Sequence, residues 1–343
     1  MKVGYIAPMS IAAVNGGLRN QALCTIGEVK KLGVNTQEIT PWTSIENRPP
    51  DLVHIFGATV ENIGIAKNLQ ALEIPFVVSP VFFSNRSAST IKLSINLELL
   101  THFLGSGIRS DFSVKAQICQ MANHVVPNTL EEASMVEKGF SVHSSAITVV
   151  PNGVEKRFAE ASDDLFSKTY GVNDFILFAG DAGAPRKNVH MLLETANTFQ
   201  TPIVIIGSFA DNEYGQKCRK LADKADHVQL IKTLDHSSDM LASAYAAARV
   251  FVLPSYFETP GIAAMEAALA GARIVITEKG GTKEYFRDFA EYINPNSKAS
   301  LAEAIQKALA KPTDHTLKNH LLQHFGWNQV AKQTVDVYKQ LCP

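Results

Sequence analysis

Cysteine is scarce: four in 343 residues (Cys24, Cys119, Cys218, Cys342), with no C-x-x-C pair. That spacing excludes a zinc ribbon or a disulfide framework and leaves the thiols as buried or incidental groups. No apolar stretch approaches the roughly 20 residues of a membrane-spanning helix. Neither charge is in excess: 32 Lys+Arg stand against 33 Asp+Glu, a formal net charge of -1. A nucleic-acid binder, or a strong binder of anionic membranes, needs a basic footprint that this chain lacks. Short-period repeats, low-complexity tracts and a D-x-D metal motif are also missing. The N-terminus opens into an apolar strand without a cleavage signal, so a reducing cytoplasm is the expected compartment. What is present is 46% hydrophobic residues, enough for two domains of ordinary size.

The apolar runs come in two series. Lys2–Pro8, Asp51–Gly57, Ile74–Ser79, His124–Pro127 and Ile147–Pro151 read as short buried strands with helical patterns between them. The pattern restarts with Phe175–Gly180, Pro202–Gly207, Val228–Lys232, Arg249–Pro254 and Arg273–Thr277. Such alternation is the signature of α/β architecture, parallel sheets covered by helices. The expected division is two Rossmann-like domains, 1–160 and 161–325. An amphipathic helix from Trp327 to Tyr338 packs across a domain surface. Ligands of such sheets bind at the carboxyl ends of the strands.

The densest chemical signal is Phe257-Glu258-Thr259-Pro260-Gly261-Ile262-Ala263-Ala264-Met265-Glu266. Glu258 follows a strand, and Glu266 falls inside a helix expected to begin near Pro260, since proline suits a first helical turn. The amides of Gly261, Ile262 and Ala263 would then face an anion, aided by the helix dipole. A carboxylate accepts paired hydroxyls well. Glu266 stands among Ile262, Ala263, Ala264, Met265, Ala267 and Ala268, and a carboxylate in such company needs a partner. A ligand diol is one choice and a core hydrogen bond the other. His54, in the apolar strand Asp51–Gly57, reads more readily as a satisfied core histidine than as a functional group. Asp235-His236 reads as a polar loop before a helix.

This stretch resembles the donor-binding region of glycosyltransferase family 4. The likeness runs from Leu253 through Glu266 and on through Ala270-Gly271-Ala272 to Gly280-Gly281-Thr282-Lys283-Glu284. Val150-Pro151-Asn152-Gly153-Val154 resembles that family's interdomain segment, and Arg186-Lys187-Asn188 its R-K-G/N element. Trp327–Tyr338 resembles its C-terminal crossing helix, and Gly16-Gly17 its glycine pair. The likeness implies the GT-B fold, two Rossmann-like domains facing a cleft with the last helix returning to the first domain. It implies metal-independent transfer of a sugar, with retention, from a nucleotide-diphosphate donor linked to uridine or guanosine, with no further cofactor. Glu258 would hold hydroxyls of the donor sugar and Glu266 the ribose. Gly261 and Ile262 would meet the diphosphate or sugar. Lys187 and Arg186 would meet the diphosphate, and Gly16 and Gly17 would let backbone approach it. Ile231 and Lys232 would lie near the base. The acceptor is a glycan, a lipid-linked molecule or a small hydroxyl compound.

Two departures from the family pattern stand out. Gly180 is followed by Asp181 where many relatives carry arginine, and a carboxylate there repels a diphosphate. Ser79-Pro80-Val81-Phe82-Phe83-Ser84-Asn85-Arg86 lacks the histidine that relatives often place near the transferred sugar, leaving Asn85 or Arg86 as substitutes. These departures motivate an alternative, a catalytically impaired relative that binds nucleotide sugar or a partner subunit. An epimerase or phosphorylase on the same fold is a third reading. The segment Phe82–Lys115, with Arg86, Lys92, Arg109 and the apolar Ile91, Leu93, Ile95, Leu97, Leu99 and Leu100, is where an acceptor would be read. Its helix either seats a lipid-linked acceptor, with peripheral membrane contact, or packs in the core, the favoured outcome.

Overall fold

The computed structural model describes residues 1–13, 16–103, 110–312 and 314–342, with backbone alone for 99–103. The chain forms two compact units, Met1–Gly153 with Trp327–Pro343, and Val154–Gly326. The division falls before the expected boundary at 160. Val154 pairs with Gly326, and Phe158 is fully buried in the second unit's core. Those contacts carry residues 154–160 into the second unit.

The first unit holds β1 (Lys2–Ile6), β2 (Asn35–Glu38), β3 (Leu52–Phe56), β4 (Phe76–Ser79) and β5 (His124–Val125), all parallel, in the order β2-β1-β3-β4-β5. Every residue of β3 and β4 is buried, as continuous apolar strands between helical layers require. The helix Gly17–Lys31 packs on the C-terminal helix Trp327–Leu341 through a core that includes Ala22, Val29, Trp327, Val330 and Tyr338. The strand expected over Ile147–Pro151 is a single bridge from Ile147 to Val125. Pro127 and Pro151 lack the N–H that a longer ladder would use. The backbone of Gly153 lies against Trp327: a Cβ there would sit 2.4 Å from the indole, so only glycine fits.

The second unit adds β6 (Phe175–Ala179), β7 (Ile203–Ile206), β8 (Val228–Ile231), β9 (Ala248–Leu253), β10 (Arg273–Thr277) and β11 (Glu291–Ile293), parallel in the order β11-β10-β9-β6-β7-β8. Strand order reverses between β6 and β9. That reversal opens a crevice at the carboxyl ends of two neighbouring strands, where ligands of such sheets bind. The loop after β6 carries Arg186 and Lys187; the loop after β9 carries Glu258.

In the first unit the helix Ala88–Phe103 turns Ile91 inward at 0% exposure and leaves Leu93 and Leu97 exposed. Packing therefore accounts for part of its apolar face. The side chains of Leu99 and Leu100, and all of Arg109, lie outside the described residues. Among the described residues no helix is long and apolar enough to cross a membrane.

Candidate active site

The site grows from the two loops at the β6/β9 reversal. After β9 the chain runs through Pro254 and Ser255 to Glu258, whose N–H donates to the Lys279 carbonyl and which forms a bridge with Gly280. Gly280 has φ +88, and a Cβ on it would lie 2.1 Å from the Glu258 carbonyl oxygen. The glycine thus lets two loops close on each other and fixes the backbone that carries Glu258. After β6, Asn188 takes the left-handed conformation (φ 57) that asparagine tolerates. Its buried amide donates to the carbonyls of Pro254 and Pro295 at 3.1 and 2.9 Å, and the Tyr256 N–H donates to the Arg186 carbonyl. These bonds staple the 185–188 turn onto the 254–257 loop.

The staple brings charges together. Lys187 Nζ donates to Glu258 Oε1 at 2.6 Å, and Ser255 Oγ donates to the same oxygen at 2.6 Å. Arg186 Nη1 stands 3.9 Å from it. Among the described residues Oε2 takes no hydrogen bond. The Lys187 side chain is 13% exposed and that of Glu258 8%, whereas Arg186 reaches solvent at 52%. The ammonium has three donors and this carboxylate engages one.

The helix Ile262–Ala270 starts just after the Pro260-Gly261 pair where it is expected to begin. Gly261, at φ +92, is its cap, and Pro260 precedes the cap through a cis bond to Thr259. Proline therefore stands outside the first turn. The Gly261 carbonyl accepts from the N–H groups of Ala264 and Met265, while the N–H groups of Gly261, Ile262 and Ala263 find no acceptor among the described residues. Three donors at the positive end of a helix remain for an anion.

Glu266 projects from the same helix and is 3% exposed. Its Oε2 accepts from the Tyr245 hydroxyl at 3.1 Å, and its Oε1 lies 2.6 Å from His236 Nε2. Of the two readings of this carboxylate, the core partner is present. Asp235-His236 is more than the polar loop that was expected. Asp235 does turn the loop, accepting from the Ser237 N–H at 2.7 Å, yet His236 leaves it to reach Glu266. The hydrogen bond that His236 donates to Glu266 holds its pKa above the usual value against burial, and the charges of Glu266 and Glu155 add to the rise. Burial drives the Tyr245 phenol well above its usual range.

Lys187, Arg186, Glu258, Gly261, Ile262 and Glu266 thus share one unit, on the segments that follow β6 and β9 at its sheet reversal. Ile231 ends β8, buried, with its carbonyl bonded to the Gly207 N–H; Lys232 follows it exposed, and neither hydrogen-bonds to the glutamates. Asp181 is exposed in the loop after β6. Gly16 and Gly17 belong to the first unit, after β1. Gly16 caps the helix Gly17–Lys31 in an extended conformation that any residue adopts. In that unit Arg86 lies 5.6 Å from the Phe112 ring centre and Asn85 is exposed. His54 is a core group, bonded to Tyr338 and Ser79. Sequence reasoning missed Ser255, Asn188, Tyr245 and His236 as supporting groups. The signal for Asn188 was its place in a turn needing a left-handed residue. Tyr245 and His236 carry no local signal, because their partner Glu266 is distant in sequence, whereas Ser255 lies three residues from Glu258.

Residues 164–322 match the family model described as glycosyl transferases group 1. An uncharacterised glycosyltransferase of Methanocaldococcus jannaschii is 30% identical over 110 residues, 30% of this chain and 28% of that protein. A D-inositol 3-phosphate glycosyltransferase of Corynebacterium urealyticum is 26% identical over 247 residues, 66% of this chain and 58% of that protein. The chain thus spans less than two thirds of either relative. Among solved structures, HepE of Anabaena in complex with UDP and glucose superposes with a TM-score of 0.75 at 14% identity, over 99% of this chain and 100% of that one. At that identity the likeness shows the fold, which is GT-B.

Proposed function

We propose that this chain, whose residues 164–322 match the model of group 1 glycosyl transferases, moves a sugar from a nucleotide-diphosphate donor to a hydroxyl acceptor with retention at the anomeric carbon. The observation that carries the reading is the Lys187–Glu258–Ser255 cluster beside three helix-start amides that find no acceptor among the described residues, at the strand reversal. Breaking a sugar–phosphate bond leaves negative charge on the departing diphosphate. Lys187, with donors to spare, Arg186 and the amides of Gly261, Ile262 and Ala263 meet that charge from fixed positions, in place of a bound metal. The Glu258 Oε2 accepts sugar hydroxyls while Oε1 is held by lysine and serine. Glu266 accepts the ribose diol.

Retention through a protein nucleophile requires a placed carboxylate. Glu258 is turned instead toward Lys187 and Ser255. We favour front-face attack: the acceptor hydroxyl bonds to the anomeric carbon on the face the diphosphate leaves, and its proton passes to the departing phosphate oxygen. Because HepE was solved with UDP and glucose, a uridine donor is the first to test. The experiment is transfer from labelled UDP-sugars and GDP-sugars, with hydrolysis followed in parallel, in the parent protein and in a folded Glu266→Ala variant. Loss of both activities in the variant is expected; undiminished turnover overturns the assignment.

A further inference from the structure

Each oxygen of Glu266 already accepts one hydrogen bond, and its side chain is only 4% exposed, so a ligand reaches it only where a neighbour gives way. Tyr245, which holds Oε2, is 2% exposed and comes from the helix Asp239–Ala247 packed against the glutamate's own helix. His236, which holds Oε1, is 30% exposed and sits on the loop before Ser238. A ribose presents two adjacent hydroxyls, and a carboxylate receives them best on two free lone-pair directions. Of the two occupants only the histidine borders solvent, so only it has room to withdraw.

The surroundings of the imidazole are built to keep it near without locking it. Glu155 Oε1 stands 3.8 Å from Nδ1. Arg157 donates to the His236 carbonyl, pairs with Glu155 at 3.3 Å and lies over the Phe158 ring. The Phe158 ring meets the imidazole edge-on at 5.8 Å. Asp235 is the charged neighbour on the histidine's own loop. The imidazole therefore faces carboxylates on two sides, Glu266 in front and Glu155 behind.

We propose that His236 is a positioning residue for the donor's ribose: it holds Oε1 of Glu266 in the free protein, yields that oxygen to the diol, and releases a proton as the donor binds. The inference rests on the assignment of Glu266 to the ribose. The direction follows from the pairing. The bond to Glu266 stabilises the imidazolium, so a ligand that takes Glu266 away removes that stabilisation and favours the neutral ring. Donor affinity then rises with pH, by up to about tenfold per unit where one proton is fully released.

Calorimetric titration with UDP between pH 5.5 and 8.5, in buffers of differing ionisation enthalpy, tests this in the parent protein and in His236→Gln. Glutamine keeps a donor but does not titrate. The terminal phosphate of UDP titrates in the same range, so the readout is the difference between the two proteins. The parent is expected to release more protons and to lose affinity faster on acidification, with the variant binding more tightly at the acid end. Identical pH profiles and proton release overturn the inference. His236→Asn serves should the first variant not fold. A parallel titration with 2′,3′-dideoxy-UDP separates the two layers. If the parent binds it as tightly as UDP, the ribose assignment has failed. If UDP is preferred but the profiles coincide, only the role of His236 has failed.

Discussion

In the first unit His54 is 1% exposed and meets only neutral groups, with Nδ1 2.6 Å from the Tyr338 hydroxyl, Nε2 2.9 Å from Ser79 Oγ and the ring stacked on Phe56. In the second unit Glu258 and Glu266 are 7% and 3% exposed, and their partners include a lysine and a histidine. The neutral cluster is closed: each ring nitrogen has one partner, and burial pushes the pKa down to about 3. The charged clusters are open. Among the described residues Lys187 keeps two donors free, Glu258 keeps an oxygen free, and three helix amides nearby lack acceptors. Burying a charge is expensive unless it is paired. A fold that does so while leaving donors over has placed them for something absent from the chain itself.

The largest effect that separates the two kinds of cluster comes from Lys187→Met. Removing the ammonium withdraws a fixed cation from the departing diphosphate, and transfer should fall by roughly 10²–10³-fold, the range seen for one preorganised donor. Stability should fall by about 1–3 kcal/mol, because Glu258 keeps Ser255 but loses its charge partner. Labelled-donor transfer and a melting curve read the two effects. A variant that loses stability but not transfer would make this pair a structural bridge and dissolve the contrast with His54.

The matching substitution in the closed cluster is His54→Ala. It leaves the Tyr338 and Ser79 hydroxyls unpaired beside a new cavity, and should destabilise the first unit by about 3 kcal/mol. UDP affinity of the remaining folded protein should not change. An isothermal titration that shows weakened binding would mean His54 takes part in recognition, and the first unit's buried polar groups would need the same reading as the second's.

Much of this contrast was legible in the sequence, for identifiable reasons. The central strands were readable because their residues are apolar throughout, as in Phe175–Ala179, or nearly so, as in Leu52–Phe56 with His54 at its centre. The edge strands β2 and β11 were not: Asn35–Glu38 is polar, and Glu291–Ile293 is three residues long. Glu258, Glu266, Arg186 and Lys187 were found because motif spacing marks them. His236 escaped because its significance lies in a partner thirty positions away, and no periodicity links a loop residue to a helix face. Pro260 was legible as a helix-start residue but stands before the first turn, since the left-handed Gly261 performs the capping.

A gentler test uses acid. His54 has a folded-state pKa far below its unfolded value of about 6.5, so the unfolded chain takes up a proton that the folded one refuses. The stability this provides is complete above pH 6.5 and is lost as pH falls toward 3, at up to about 1.4 kcal/mol per pH unit. His236 works in the opposite sense. Its pKa is raised, so its contribution is complete below 6.5 and is lost as pH rises through the folded value. Denaturant unfolding across pH should therefore show an acid slope that His54→Gln reduces and His236→Gln leaves in place. A slope insensitive to His54 would place the acid-labile group elsewhere and remove the first term of the contrast.

The smallest expected effect divides two tyrosines with the same job. Tyr338→Phe removes a hydroxyl from neutral His54, and Tyr245→Phe removes one from Glu266. Each should lower stability by about 1 kcal/mol, a shift of roughly 2–4 °C in the melting of its unit. Binding should tell them apart. Without Tyr245 the Glu266 carboxylate loses the bond that sets its rotation, and UDP should bind about threefold more weakly, an energy of about 0.7 kcal/mol. Without Tyr338 no group that faces a donor moves, and UDP affinity should hold. Equal binding by the two variants would show that Glu266 is oriented by its own helix rather than by the phenol, and that the second unit's carboxylate is as indifferent to its hydroxyl partner as the first unit's imidazole.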